Sequence, residues 1–132
     1  MGLNLTLEQD DIIMMSGGIV IVIEEVNSKP MEVLITISKP HAGGVSLEHK
    51  TMEIGDSMKV GRAMILASTI NRQTKGNLCV RITVDAPKDV KVHRFHTHQS
   101  DEWLEKIINK FDESDDIASI QLGLEVLLFE EE

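Results

Sequence analysis

The chain has a single cysteine, Cys79, so no disulfide can close within one subunit and no cysteine-based zinc site can form there. It has no apolar run long enough to cross a bilayer, and its N-terminus lacks the basic and apolar pattern of a secretory signal. A soluble, cytoplasmic protein is expected. Basic charge is also scarce: 13 Lys and Arg stand against 22 Asp and Glu, a net charge of -9 that argues against a general nucleic-acid binder. A Gly-rich phosphate loop is missing, because neither Gly17-Gly18 nor Gly43-Gly44 is followed by Lys-Ser/Thr and a helix. No nucleophile elbow appears, and Cys79 sits inside an apolar strand segment rather than at a helix start. The chain therefore reads as a non-enzyme that needs no cofactor.

What is present is unevenly distributed. Residues 1 to 50 hold 3 basic and 7 acidic groups, residues 51 to 95 hold 8 and 4, and residues 96 to 132 hold 2 and 11. A basic middle between acidic ends is compatible with a focused RNA site and equally with an acidic surface that repels nucleic acid, so charge favours neither reading. With 132 residues and 42% apolar content, the chain can fill one ordinary core.

The apolar pattern is that of strands. Leu3, Leu5 and Leu7 alternate, and Asp10-Asp11 marks a turn. Ile12 to Met15 and Ile19 to Ile23 flank Gly17-Gly18 and are dominated by β-branched residues. Asn27-Ser28-Lys29-Pro30 reads as a turn, Val33 to Ile37 as a strand, and Val45 to His49 as a short strand after the corner at Gly43-Gly44. In the second half, Met52 to Ile54, the turn Gly55-Asp56, Met58 to Ile70, Leu78 to Val84 and Asp89 to Arg94 repeat the theme. The one expected helix starts at an N-cap on Ser100 and carries an apolar stripe of Trp103, Leu104, Ile107, Ile108 and Phe111. Ile117 to Phe129 reads as a last strand before an acidic tail.

The run from Lys75 to Arg94 reads as a tight turn, a Val-Arg-Ile strand, an Ala86-Pro87-Lys88 corner and a second strand ending in Val92-His93-Arg94. In this order it resembles the carbon storage regulator (Csr/Rsm) family of bacterial RNA-binding translational regulators. The similarity spans residues 51 to 95, including the turn Met52-Glu53-Ile54-Gly55-Asp56, with about ten residues inserted between Val60 and Lys75. The first half is similar to a degenerate second copy: Leu3 to Thr6 stands for the opening strand, Ile12 to Gly17 for the next region, Val33 to Ile37 for the Val-Arg-Ile strand and Lys39-Pro40 for the corner. The expected architecture is mainly β, two Csr-like β-repeats forming one intertwined pseudo-dimeric barrel or sandwich, followed by a C-terminal amphipathic helix and a last strand. The divisions are 1–50 for the degenerate repeat, 51–99 for the better match and 100–132 for the helix and acidic tail.

The resemblance implies that paired subunits exchange strands, so that the first strand of one lies beside the fifth of the other, and that this edge binds RNA with a preference for GGA in a hairpin loop. A tandem chain can build such a body alone as a 14.7 kDa monomer or go on to a homodimer. Residues 3–7 would pair with residues 89–94. A second, symmetric site would need Gly43 to His49 to play two strand roles at once, leaving Ile117 to Phe129 as the substitute. The implied RNA-binding residues are Leu3, Leu5, Thr6, Val90, Lys91, Val92, His93 and Arg94. Arg94 leads, because a guanidinium can pair with a guanine edge or a phosphate through two parallel hydrogen bonds. The opening strand departs from the family, with Leu7-Glu8 in place of two consecutive arginines, which removes two phosphate partners. The pattern His93, His96, His98 reads as a surface cluster rather than a metal site, since no Asp or Glu lies between the histidines and no cysteine is nearby. The second functional reading is a protein-binding module, or an antagonist, on the same scaffold.

Overall fold

The computed structural model describes residues 2–73, 75–96 and 101–129. Among the described residues, nine strands form two antiparallel sheets: β1 (Leu3–Leu7), β2 (Ile12–Met15), β3 (Ile19–Ser28), β4 (Met31–His41), β5 (Gly44–Glu53), β6 (Ser57–Val60), β7 (Ala63–Arg72), β8 (Leu78–Asp85) and β9 (Val92–Phe95). The four-stranded sheet has the order β1-β8-β7-β6 and the five-stranded sheet the order β5-β4-β3-β2-β9. Between them lies the main core, where Leu7, Val80, Ile82, Val84 and Ile65 from one sheet meet Ile13, Ile21, Ile23, Ile35 and Ile37 from the other. The protein is thus mainly β and built on two facing sheets.

Alternation explains most of this. In β8, Val80, Ile82 and Val84 point inward while Arg81 and Asp85 are exposed. Two strands change parity part-way. In β3 the inward set Ile19, Ile21, Ile23 continues at Val26, and the ladder with β4 shifts between Ile23 and Glu25, so that Glu24 and Glu25 both reach solvent. In β7, Ala63, Ile65 and Ala67 are followed by Ile70 across a shift between Ala67 and Thr69. Each bulge lets one extra residue pass without turning the apolar side outward.

The runs Ile12 to Met15 and Ile19 to Ile23 do not alternate because both of their faces are covered. Ile12, Met14, Val20 and Val22 face away from the main core into a second one, formed with Phe95, Ile107, Phe111, Ile120 and Leu124. The last four come from the C-terminal segment: α1 (Asp101–Ile108), a 3-10 turn (Glu113–Asp115), α2 (Ile117–Leu124) and a π-helical turn (Glu125–Phe129). Each fully buried aliphatic side chain in these cores contributes about 1.5–3 kcal/mol.

Four expectations change. Residues 3–7 do not pair with residues 89–94: β1 runs along β8 in the register Leu3↔Val84 to Leu7↔Val80, while β9 pairs with β2 from Met15↔Val92 to Ile12↔Phe95. These registers set Leu5 and Leu7 beside the inward residues of β8, and bring Phe95 next to Ile12 in the second core. Ile117 to Phe129 is helical, not a strand, because Asp116 caps α2 by accepting from the Ser119 amide, and Ile120 and Leu124 then share one buried face. Met58 to Ile70 is a hairpin broken at Gly61 (φ 60), not one strand. Trp103 lies off the buried side of α1, 49% exposed, with Lys106 Nζ 5.8 Å from its ring centre. The expected N-cap at Ser100 lies outside the described residues. Among the described residues no helix is long and apolar enough to cross a membrane.

Candidate nucleic-acid interface

The two sheets exchange their terminal strands: β1 completes the sheet of β6 to β8, and β9 completes the sheet of β2 to β5. Each is an edge strand. Arg94 joins these edges. It sits opposite Ile13, whose side chain belongs to the main core, so its side chain starts toward the facing sheet, and its Nη1 donates to the Thr6 carbonyl at 2.8 Å. Segments 3–7 and 89–94 therefore meet through a side chain instead of a ladder. Because the Thr6 carbonyl faces away from β8, the alternation of an antiparallel strand turns the backbone groups of Asn4 and Thr6 toward the open edge.

On the solvent face beside this edge, Thr6 pairs with Arg81, and Asn4 with Thr83, whose hydroxyl donates to Asn4 Oδ1 at 2.7 Å. Arg81 and Arg94 are both exposed, and neither has an ion-pair partner among the described residues. Arg81 was not among the residues implied by the resemblance. The signal available in the sequence was its outward parity between Val80 and Ile82, but identifying its neighbour required the register with β1.

The remaining expected residues divide. Leu3 is exposed on the edge strand, and Leu5, Val90 and Val92 pack against the main core. Lys91 is held by the C-terminal segment: its Nζ donates to Asp115 Oδ2 at 2.8 Å and to the Lys110 carbonyl at 3.1 Å, with Asp112 Oδ2 at 3.6 Å. The same turn is fastened to the β2–β3 corner, where the Ser16 hydroxyl donates to Asp115 Oδ1 and accepts from the Lys91 amide, and the Gly17 and Gly18 amides donate to the Asp115 carbonyl. The Lys91 ammonium, with the Asp112 amide and the Ser16 hydroxyl, holds the Asp115 carboxyl well below the usual carboxylate range. His93 is half-buried, its ring edge-on to Phe111 at 5.2 Å and 88°. Burial, then the nearby Lys110 and Lys91 ammonium groups, push its pKa down.

Of the histidine pattern, His93 and His96 have different partners. His93 faces Phe111, His96 Nδ1 lies 2.8 Å from Asp11 Oδ1, and His98 lies outside the described residues. Among the described residues no group of three or more His, Cys, Asp or Glu is placed to hold a metal ion. Cys79 is buried on β8, and burial followed by the charges of Glu8 and Asp11 raises its thiol pKa.

No protein-family model, curated protein or solved structure matches the chain. One exposed guanidinium, Arg94, lies at the open edge of β1, and a second exposed arginine, Arg81, stands opposite Thr6 on the neighbouring strand. Such an array can donate to phosphate oxygens and base edges of an unpaired strand.

Proposed function

We propose that this protein is a non-catalytic RNA-binding module, a post-transcriptional regulator of the Csr/Rsm kind acting in the cytoplasm on GGA-containing single strands or hairpin loops. The observation that carries this reading is the hydrogen bond from Arg94 to the Thr6 carbonyl, which links segments 3–7 and 89–94 through a side chain although they do not pair as strands. Arg81 supplies a second exposed guanidinium beside Thr6. The footprint is small: Lys91 is spent on Asp115, His93 packs on Phe111, and Leu7-Glu8 offers no basic partner. Binding is therefore weaker than the family resemblance alone implies.

The test is a fluorescence titration of the whole chain with a hairpin carrying GGA in its loop, at low salt. Saturable binding is expected, with Arg94→Ala and Arg81→Ala each weakening it by about 5- to 100-fold. Absence of saturable binding by the unaltered chain sinks this reading. It leaves the alternative of a protein-binding module on the same scaffold.

A further inference from the structure

Among the described residues, strand β5 has one hydrogen-bonded neighbour, β4, so its far side is an open edge of the five-stranded sheet. We propose that this edge is an interface between two copies of the chain, which pair antiparallel through β5 about a two-fold axis at His49 and join their sheets into one.

The hairpin sets which backbone groups are available. Ala42 and Gly43 (φ 86) form a two-residue turn closed by His41↔Gly44, so that pair is hydrogen-bonded and the ladder alternates from there. Gly44, Ser46, Glu48, Lys50 and Met52 turn their backbone groups toward β4. Val45, Leu47, His49 and Thr51 turn theirs outward. Glu53 closes the end, since its amide donates to Asp56 Oδ2 and its carbonyl accepts from the Asp56 amide.

With the axis at His49, Leu47 faces Thr51 of the second copy, His49 faces His49, and Thr51 faces Leu47, giving about six hydrogen bonds. Between them Glu48 of each copy lies opposite Lys50 of the other, in the non-hydrogen-bonded pairs where side chains approach most closely. Within one copy Glu48 already lies between Lys39 at 2.8 Å and Lys50 at 3.4 Å, so the contact extends an existing run of alternating charge. Moving the axis by one residue sets Glu48 against Glu48 or Lys50 against Lys50, which disfavours those registers. The second copy would also cover part of Leu47, which is 43% exposed. Charges on an edge strand usually prevent pairing. Here their order is self-complementary in one register.

The test is sedimentation equilibrium of the whole chain over a wide concentration range, with circular dichroism to confirm folding. A concentration-dependent dimer of the 14.7 kDa chain is expected. Lys50→Glu, which sets a second carboxylate against Glu48 of the other copy, should raise the dissociation constant about tenfold or more, and the double exchange Glu48→Lys with Lys50→Glu should restore it. Thr51→Pro removes an outward-facing donor without touching the β4 ladder and should also weaken the dimer. A chain that stays monomeric at every concentration overturns the proposal. A dimer indifferent to Lys50→Glu and Thr51→Pro, or one that the double exchange fails to restore, overturns it as well.

Discussion

Lys91 Nζ and Asp115 Oδ2 are 2.8 Å apart, which ties the basic middle of the chain to its acidic C-terminal segment. The charge segregation visible in the sequence is therefore partly cancelled within the molecule. The 3-10 turn that carries Asp115 also accepts from the amides of Gly17 and Gly18, so one short element fastens the helical layer to the β2–β3 corner.

Asp115→Asn should lower the melting temperature at pH 7 by several degrees. The carboxyl of Asp115 is depressed in the folded state, so its contribution is full above the ordinary carboxylate value of about 3.9 and is lost as pH falls through the range below it. Melting curves of the two proteins should converge on acidification. A gap that stays constant from pH 7 to pH 2 would show that the charge is not what matters.

His93 should titrate below its ordinary value of 6.5, because its burial against Phe111 and the neighbouring ammonium groups disfavour the imidazolium. With the folded-state value depressed, the contribution of neutral His93 is complete above pH 6.5 and declines as pH drops below it. An NMR titration of the imidazole carbons measures the midpoint directly. A midpoint above 6.5 would contradict the packing described.

A Cβ at Gly123 would sit 2.6 Å from Ser38 Oγ and 3.2 Å from Val20 Cγ2, so Gly123→Ala should cost about 1–3 kcal/mol in urea unfolding. Ser38 Oγ is buried with no hydrogen-bond partner among the described residues. Ser38→Ala alone should therefore be neutral or stabilising by up to about 1 kcal/mol, and it should recover part of the loss when combined with Gly123→Ala. Strictly additive effects in the double variant would mean that the Ser38 hydroxyl is not what a Cβ at position 123 meets.

If Arg81 and Arg94 are the phosphate partners, the logarithm of the RNA affinity should fall with the logarithm of salt concentration with a slope of about -1.4, the value for two contacts on a single strand. A slope several times steeper would place the RNA on a larger basic surface.

Strand positions were legible wherever one face was buried. Leu3, Leu5 and Leu7, and Val80, Ile82 and Val84, announce their parity, and the slips at Glu24 and Ser68 can be seen as changes of that parity. Partner choice was not legible, because a strand as short as Val92–Phe95 suits several neighbours until the second core supplies a place for Phe95. Ile117 to Phe129 misled because Ile120, Leu122, Leu124 and Val126 alternate with Gln121, Gly123 and Glu125, which is the two-residue period of a strand. The Asp116 cap and the close approach at Gly123 decide for a helix, and the second depends on residues far away in sequence. The candidate site was half legible: Arg94 followed from the local motif, whereas Arg81 and the caging of Lys91 required the three-dimensional arrangement.

The exchange of β1 and β9 between the sheets also governs synthesis. Ile12 to Met15 leave the ribosome early, but the strand that covers one of their edges in the fold, residues 92–95, is made much later. The most apolar strands thus wait with one edge and one face uncovered, the condition under which nascent chains aggregate. Contacts of such long sequence separation are also slow to form. Slow emergence of the last third of the chain would prolong that exposure, which makes the C-terminal segment the final cover for a sheet laid down at the start.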